Sequence, residues 1–318
     1  HFENLGQDPN YPGNRELKFL KKVFPEVAKH LPDTTTLLEI GPGSVYLDEQ
    51  GNEKLAIGGQ KTEAFIDTIQ KTPLSGENKR RSQKSVGKYV ALDVAESSAQ
   101  NAAAFVNNNY GIGSSGLVAD YRSLAQKIRE EGTERPLIVT EKSTPVIFCF
   151  GNTPFNIPKT QKNRIDTEIA NCMADLGEIG GPGSIVVLSH FRKLDNTVYK
   201  GEHNKKAIMS IWHRIANDPA ITNLYPDEGW EPYAEIDEGD GAIMMGVEST
   251  LKTHRKIYLN SMEKAEVALG TRFNLARSLR PSIATIQRAA EFQGFETLYN
   301  NKDDKNGEFG IHVLRYNP

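Results

Sequence analysis

The sequence predicts an α/β fold with a Rossmann-like, mostly parallel sheet and an inserted α+β domain. Three observations lead to this prediction. Short apolar runs alternate with helix-like segments in the first half of the chain. The first of these runs ends in a glycine turn at residues 41–44. The pattern changes after His190, and a helix followed by two β-like stretches returns only near the C-terminus.

The elements of the first half follow one another as strand and helix. In chain order they are strand 36–40, helix 62–70, strand 89–94, helix 95–107, strand 116–120, strand 145–150, helix 162–176 and strand 184–189. Apolar residues at helical spacing indicate the first helix, and an alanine-rich composition indicates the second. Residues 145–150 are nearly all apolar, which is typical of a strand buried on both faces. This alternation predicts βαβ units and a parallel sheet.

The second half departs from this alternation. Residues 200–217 are predicted to be helical, and the Pro-, Gly- and acid-rich segment 219–246 predicts loops or hairpin turns. β-like stretches follow at 242–251 and 254–259, then a helix at 282–293 and a hairpin of 296–299 with 309–316. We therefore expect one domain of residues 32–194 plus 281–318, and a substrate-recognition domain of residues 1–31 plus 195–280.

Composition excludes several classes of protein. Among 318 residues, Lys and Arg number 38 against 41 Asp and Glu, so the net charge of −3 argues against a general nucleic-acid binder. The longest apolar run is shorter than the roughly 18–20 residues that span a bilayer, so no membrane partner is expected. Cys149 and Cys172 fit a reducing cytoplasm. The histidines lack metal-ligand spacing, so no metal is expected, and we expect a monomer or a weak homo-oligomer.

The glycine turn is the centre of a candidate nucleotide-type site. A strand, a tight turn and a helix N-terminus let backbone N–H groups face a ligand, with Gly41, Gly43 and Ser44 lining the turn. Asp93, at the tip of the next predicted strand, can accept both hydroxyls of a ribose. At the third strand end, Asp120 could meet an adenine amine with the ring of Tyr121 beside it.

Two residues decide between the cofactors that such a turn could bind. The dinucleotide pattern requires a third glycine at the position that Tyr46 occupies here. Glu39, just before the turn, suits a cationic cofactor better than a pyrophosphate. The pattern therefore favours S-adenosylmethionine over a nicotinamide dinucleotide.

Several short segments resemble one known family. Residues 89–96 are similar to its V-x-x-D-V-S-E strand, 118–121 to its G-D-F/Y step, and 151–156 to its G-G/S-T/S-I-G-N loop. Residues 10–16 resemble its Y-Y-P-T-R-x-E segment. The family's Lys-Thr pair stands here at Lys61 and Thr62, after an extra segment of 45–60. The chain thus resembles the ergothioneine-pathway histidine N-alpha-methyltransferases and their fungal relatives that N-methylate a prenylated tryptophan.

The resemblance implies a class I methyltransferase sheet, S-adenosylmethionine as cofactor and methyl transfer to the alpha-amino group of an amino acid or derivative. It implies cofactor contacts spread over several strand ends. These are Glu39, Gly41, Gly43, Ser44, Lys61, Asp93, Asp120, Tyr121, Gly151 and Thr153.

The resemblance also implies the residues that bind the methyl acceptor. Asn156 matches an asparagine that holds the substrate's amino and carboxylate groups, Tyr199 a tyrosine on the carboxylate, and Tyr11 a pocket tyrosine. These three are expected to form the catalytic centre. Structural roles stay open for each: Asn156 as a helix N-cap, Tyr199 as a surface residue and Tyr11 as a cap on the core.

The acceptor itself is less certain than the reaction. The family's imidazole-reading glutamate falls at Asn274, and its pocket methionine falls near Ser249, so histidine as substrate is in doubt. Three alternatives remain open: a methyltransferase acting on another small-molecule amine, a non-catalytic cofactor-binding accessory protein, and, less favoured, a nicotinamide-dependent enzyme.

Overall fold

The structure is a computed structural model. It describes residues 12–42, 45–47, 53–55, 57–75, 82–136, 143–151, 153–155, 165–193, 202–238, 241–252, 254–260, 262–302 and 307–318. Within these residues, no helix combines the length and apolarity needed to cross a membrane. The described chain divides into two compact units. Unit 1 comprises residues 1–155, 164–192 and 281–318, and unit 2 comprises residues 156–163 and 193–280.

Strands and helices alternate through the first 191 residues. In chain order they are α1 (Pro12–Lys29), β1 (Thr34–Ile40), β2 (Val45–Leu47), β3 (Glu53–Leu55), α2 (Ile57–Lys71), β4 (Ser85–Asp93), α3 (Glu96–Tyr110), β5 (Ser114–Val118), α4 (Tyr121–Glu131), β6 (Thr144–Cys149), α5 (Ile165–Gly180) and β7 (Ile185–Phe191). A single 3₁₀ turn, Thr153–Phe155, follows β6. The predicted strands and helices of this half are present, most with ends shifted by a few residues.

The rest of the chain contains unit 2 and the closing elements of unit 1. Unit 2 has α6 (Glu202–Ala216), β8 (Ile221–Thr222), β9 (Trp230–Asp237), β10 (Ala242–Ser249), β11 (Arg255–Leu259), β12 (Met262–Val267) and β13 (Arg272–Leu279). Unit 1 closes with α7 (Ile283–Phe292), β14 (Phe295–Asn300) and β15 (Phe309–Tyr316). Ser282 caps α7 by accepting the Thr285 N–H.

The central sheet of unit 1 contains seven described strands in the order β14-β15-β7-β6-β1-β4-β5. Neighbours from β7 to β5 run parallel, and β15 pairs antiparallel with both β7 and β14. Strand β1 lies between β6 and β4, so the chain leaves β1 toward one side of the sheet and returns later on the other. Ligands of open α/β sheets bind at such a switch point, beside the carboxyl ends of the strands.

The core of unit 1 explains where the N-terminal helix belongs. Along α1, the side chains of Leu20, Phe24 and Val27 are fully buried in the same apolar cluster as Phe65 of α2 and Phe148 of β6. Residues 1–31 were expected in the substrate-recognition domain, and in the structure α1 packs in the core of unit 1. An apolar stripe at helical spacing buries this helix on the sheet domain.

Unit 2 has an apolar core of its own. Trp212 of α6 packs edge-on against Trp230 of β9, with ring centroids 4.6 Å apart, and Val247 of β10 is buried in the same cluster. Its described strands form two three-stranded sheets, in the orders β13-β10-β9 and β12-β11-β8. The segment expected to form loops or hairpin turns contains β9, which pairs antiparallel with β10. The predicted α/β fold with an inserted α+β region is confirmed.

Candidate functional site

The glycine turn and the loop after β6 meet at the switch point of the sheet. Gly41 directly follows β1, has a φ of +68°, and donates its N–H to the Leu92 carbonyl at 2.9 Å. A Cβ atom at Gly41 would lie 2.8 Å from Cγ2 of Thr153. This approach excludes a side chain, and only glycine adopts such a φ without strain. Two predicted cofactor contacts, Gly41 and Thr153, are thus brought together.

The ends of β4 and β5 add two acidic side chains to the same edge. Asp93 ends β4 partly exposed, and its Oδ1 accepts the Ala95 N–H at 2.9 Å, which fixes the carboxylate at the strand tip. Asp120 is exposed and caps α4 by accepting the N–H groups of Arg122 at 2.8 Å and Ser123 at 3.2 Å. Asp93 therefore lies at the strand tip where it is expected to bind the ribose, whereas part of the Asp120 carboxylate serves its helix.

Val94 was not predicted as a site residue. It follows Asp93 directly, and 68% of its side chain is exposed. An apolar surface next to the carboxylate that is expected to bind the ribose suits the flat face of a base. The signal in the sequence was a valine immediately after the acid that ends a strand.

Glu39 lies beneath the turn and organises it from inside the fold. Its side chain is buried, and its Oε1 and Oε2 atoms both accept a hydrogen bond from the Thr62 hydroxyl, at 2.7 and 2.8 Å. Oε2 also accepts from the Tyr89 hydroxyl at 2.6 Å. Burial raises the pKa of Glu39 to about 7, against the lowering effect of these two hydroxyls and of the Lys61 charge. Glu39 therefore ties β1 to α2 and β4 directly below Gly41.

Lys61, expected to contact the cofactor, is engaged elsewhere. Only 6% of it is exposed, and its Nζ lies 2.5 Å from Oε2 of Glu16 in α1. The other Glu16 oxygen accepts the N–H of Gly151 at 2.8 Å and the hydroxyl of Ser189. Glu16 was not singled out from the sequence. The available signal was a carboxylate at helical spacing with the buried Leu20.

Tyr121 also differs from the expectation that its ring lies beside adenine. It is buried, and its hydroxyl donates to the Pro154 carbonyl at 3.3 Å and accepts from Nε of Arg122 at 3.0 Å. Burial raises the pKa of Tyr121 well above its ordinary value. The phenol therefore supports the turn that follows β6 from within the fold.

Two acceptor-site residues predicted from the resemblance, Ser249 and Asn274, lie in the described part of the chain and point to opposite faces of one sheet. Ser249 pairs with Trp230 and lies on the same face of the β10 sheet as Val247, toward the apolar core of unit 2. Asn274 pairs with Gly246 and lies on the opposite face. The structure therefore does not bring Ser249 and Asn274 into one pocket. Ser249 Oγ instead accepts the N–H of Leu251 at 3.2 Å.

Asn274 is part of a polar cluster on the open face of this sheet. Its Oδ1 accepts the Tyr233 hydroxyl, and the Tyr233 ring lies 4.8 Å below the guanidinium of Arg272. Arg272 also binds Glu248 and Glu235, each at 2.7 Å. The charge of Glu248 is thus paired with that of an arginine.

Five predicted residues lie outside the described part of the chain. They are Tyr11, Gly43, Ser44, Asn156 and Tyr199.

Two buried histidines at the end of β7 form a further cluster. His190 and His312 of β15 stack with ring centroids 5.3 Å apart, and their Nε2 atoms lie 3.3 Å from each other. Burial, reinforced by the charge of Arg192, lowers the pKa of His312 to about 3. Within the described residues, no three His, Cys, Asp or Glu side chains converge as metal ligands would.

The tight turn at Gly41, the carboxylate of Asp93 and the exposed Val94 define a Rossmann-like site for an adenosine-containing cofactor. The donor set fits S-adenosylmethionine, since backbone groups and one carboxylate can hold its adenosine without a pyrophosphate-binding helix motif. The chain belongs to the histidine-specific, S-adenosylmethionine-dependent methyltransferase family, whose sequence model matches residues 1–316. The suspected family, the class I methyltransferase sheet and the cofactor are thereby confirmed.

Solved structures give more distant likenesses. An S-adenosylmethionine-dependent methyltransferase from Clostridium acetobutylicum is 10% identical, with a TM-score of 0.48 over 98% of this chain and 96% of that one. CcbJ methyltransferase from Streptomyces caelestis is 13% identical, with a TM-score of 0.44 over 93% and 90%. The search of curated proteins finds no significant match. The family assignment rests on the sequence match and not on these structures.

Proposed function

We propose that this methyltransferase methylates the alpha-amino group of an amino acid or a close derivative. The family match over residues 1–316 carries the proposal, because the family's description is histidine-specific and histidine is an amino acid. The resemblance adds Asn156, Tyr199 and Tyr11 as the groups that hold the acceptor's amino and carboxylate ends. The proposed acceptor is thus a small molecule.

For methyl transfer, the main tasks of the protein are to bind and orient the two reactants. S-adenosylmethionine supplies a methyl group already activated on a sulfonium. The acceptor must present a neutral amine, so its ammonium form must lose a proton before the transfer. The chain's residues then need to align the amine and exclude water. We propose that Asn156 and Tyr199 perform this alignment.

The Tyr233–Asn274 pair bears on which amino acid is the acceptor. The resemblance aligns Asn274 with a carboxylate that reads an imidazole, and here a neutral amide stands there with its oxygen already accepting from Tyr233. Its NH₂ group can only donate. A donor can still bind the acceptor nitrogen of a neutral imidazole, but it cannot pair with an imidazolium as a carboxylate does, so the proposal extends to amino acids other than histidine.

Further proposals concern the setting of the enzyme. Cys149 and Cys172 are both free and buried, which supports a reducing, cytoplasmic location. The near-balanced charge supports the absence of a nucleic-acid partner. We propose a monomer or a weak homo-oligomer.

Mass spectrometry with methyl-labelled S-adenosylmethionine tests the acceptor class. The purified protein is incubated with the standard L-amino acids and a prenylated tryptophan, each beside its N-acetylated form, which blocks the alpha-amine. We expect label on the free amine of at least one non-histidine compound and none on its acetylated form. The Asn156→Ala variant should lose roughly 5- to 150-fold in turnover with an unchanged circular dichroism spectrum.

Two outcomes would contradict the proposal. Equal labelling of an N-acetylated compound would place the methyl group on another atom. Cofactor binding without transfer to any amine would favour the non-catalytic accessory protein.

A further inference from the structure

A buried ionic cluster centred on Glu16 includes two of the expected cofactor contacts, Lys61 and Gly151. Glu16 of α1 is fully buried, and one of its oxygens is paired with Nζ of Lys61 at 2.5 Å. Its other oxygen accepts from the Gly151 N–H at 2.8 Å and from the Ser189 hydroxyl. One carboxylate therefore joins α1, α2, the loop after β6 and strand β7.

Because this carboxylate is buried, its contacts must compensate for the water that it has lost. An ionised group removed from water is tolerated only when it is paired and hydrogen-bonded, and breaking one side of such a pair leaves the other charge buried and alone. Lys61 is only 6% exposed, so it depends on Glu16 in the same way. The cluster therefore holds α1, α2, the loop after β6 and β7 in fixed positions relative to one another.

The element most affected is the loop beside the glycine turn. Gly151 has a φ of +81°, and a Cβ atom there would lie 3.2 Å from Nζ of Lys61. Two residues later, Thr153 donates its hydroxyl to the Phe150 carbonyl at 3.0 Å and places its methyl group against Gly41. Contacts therefore run continuously from Glu16 through Gly151 and Thr153 to Gly41.

We propose that Glu16 is a positioning residue for the cofactor site. Its carboxylate holds the Gly151 N–H and so sets Thr153 against the glycine turn, while Lys61 serves as its charge partner. Lys61 then acts on the cofactor only through Glu16. The inference rests on the family's cofactor and not on the proposed acceptor, so its test measures cofactor binding alone.

Three variants distinguish the effect of the two charges from the effect of side-chain size. Glu16→Gln keeps the side chain's size and can still accept from Gly151, but it leaves the Lys61 ammonium unpaired. Lys61→Met leaves the Glu16 carboxylate unpaired. The double variant removes both charges. By calorimetry with S-adenosylmethionine and with S-adenosylhomocysteine, we expect each single variant to bind roughly 10- to 100-fold more weakly, and the double variant to recover most of that loss.

A matched control distinguishes positioning from a general loss of stability. Leu20→Ala removes a fully buried side chain one turn further along the same helix, within the apolar core. We expect it to lower the melting temperature and to leave the affinity of the folded protein for S-adenosylmethionine within about threefold. Hydrogen exchange at the Gly151 amide should accelerate in Glu16→Ala and not in Leu20→Ala.

Several results would overturn the proposal. These are wild-type affinity in Glu16→Gln, an equal loss of affinity in Leu20→Ala, or a double variant as weak as Lys61→Met, which would make Lys61 a direct contact. If Glu16→Gln does not fold, Ser189→Ala provides the test, because it removes the hydroxyl that bonds Glu16 and that also accepts from the Gly151 N–H at 3.3 Å, without unpairing a charge. Ser189→Ala should then bind the cofactor several-fold more weakly, and unchanged binding would refute the role.

Discussion

Replacing Glu39 with glutamine should remove a pH dependence of stability that the wild-type protein carries. Burial raises the pKa of Glu39 from 4.5 to about 7 in the folded state. The folded protein therefore holds this proton more tightly than the unfolded chain does. A stabilising contribution present below pH 4.5 is lost as the pH rises toward 7, and no further loss follows above that value.

The size of the effect follows from the interval between the two pKa values. One pKa unit corresponds to about 1.4 kcal/mol, so the wild type should lose up to about 3 kcal/mol relative to Glu39→Gln between pH 4.5 and 7. Glutamine retains an oxygen that can accept from Thr62 or Tyr89. The comparison therefore changes the titrating group more than the packing.

Urea unfolding at half-unit steps from pH 4.5 to 8 measures this difference. Circular dichroism follows the helices of both units, whereas both tryptophans, Trp212 and Trp230, lie in unit 2 and report on that unit. Glu63→Gln, which removes an exposed carboxylate from the same helix as Thr62, is the matched control. Stability curves for wild type and Glu39→Gln that stay parallel over the whole range would refute the reasoning.

Two further predictions concern neighbouring parts of unit 1. Gly41→Ala should weaken S-adenosylmethionine binding at least tenfold in calorimetry, because the added methyl group would lie 2.8 Å from Thr153 at a φ of +68°; binding unchanged from wild type would show that the turn adapts. His312→Gln should flatten the acid dependence of stability. With a folded pKa of about 3, the neutral His312 contributes stability that is lost as the pH falls below 6.5, at no more than about 1.4 kcal/mol per pH unit, and urea unfolding that shows equal slopes for both proteins would contradict this.

The sheet and the glycine turn could be predicted because their signals are local. A buried parallel strand is a continuous apolar run, and the residues that end it lie at the ligand-binding edge whatever follows. Gly41 and Asp93 were identified in this way. Thr153 was identified from a resemblance, and its contact with Gly41 depends on β6 lying beside β1, which the order of strands along the chain does not reveal.

The contacts that the sequence did not indicate join residues distant along the chain. Lys61 was expected to contact the cofactor from the resemblance, and nothing near it in the sequence indicates that its Nζ lies 2.5 Å from Glu16. Ser249 and Asn274 were grouped as one pocket, yet strand pairing puts them on opposite faces of a sheet, with an irregularity between Met245 and Gly246 that shifts the register. The spacing of residues along the sequence does not show which face of a sheet a side chain lies on, or how two strands are aligned.

The contacts of Glu16 also bear on the order in which the protein folds. Gly151 and Ser189 lie 135 and 173 residues further along the chain, so each contact closes a very long loop. Such contacts form late, because the entropy of loop closure must be overcome before they stabilise anything. A growing chain that already carries Gly41 and Asp93 still lacks the partners that set Thr153 until β7 has been synthesised. The cofactor can then assist only the last stage of folding, by binding the completed site and drawing the equilibrium toward it.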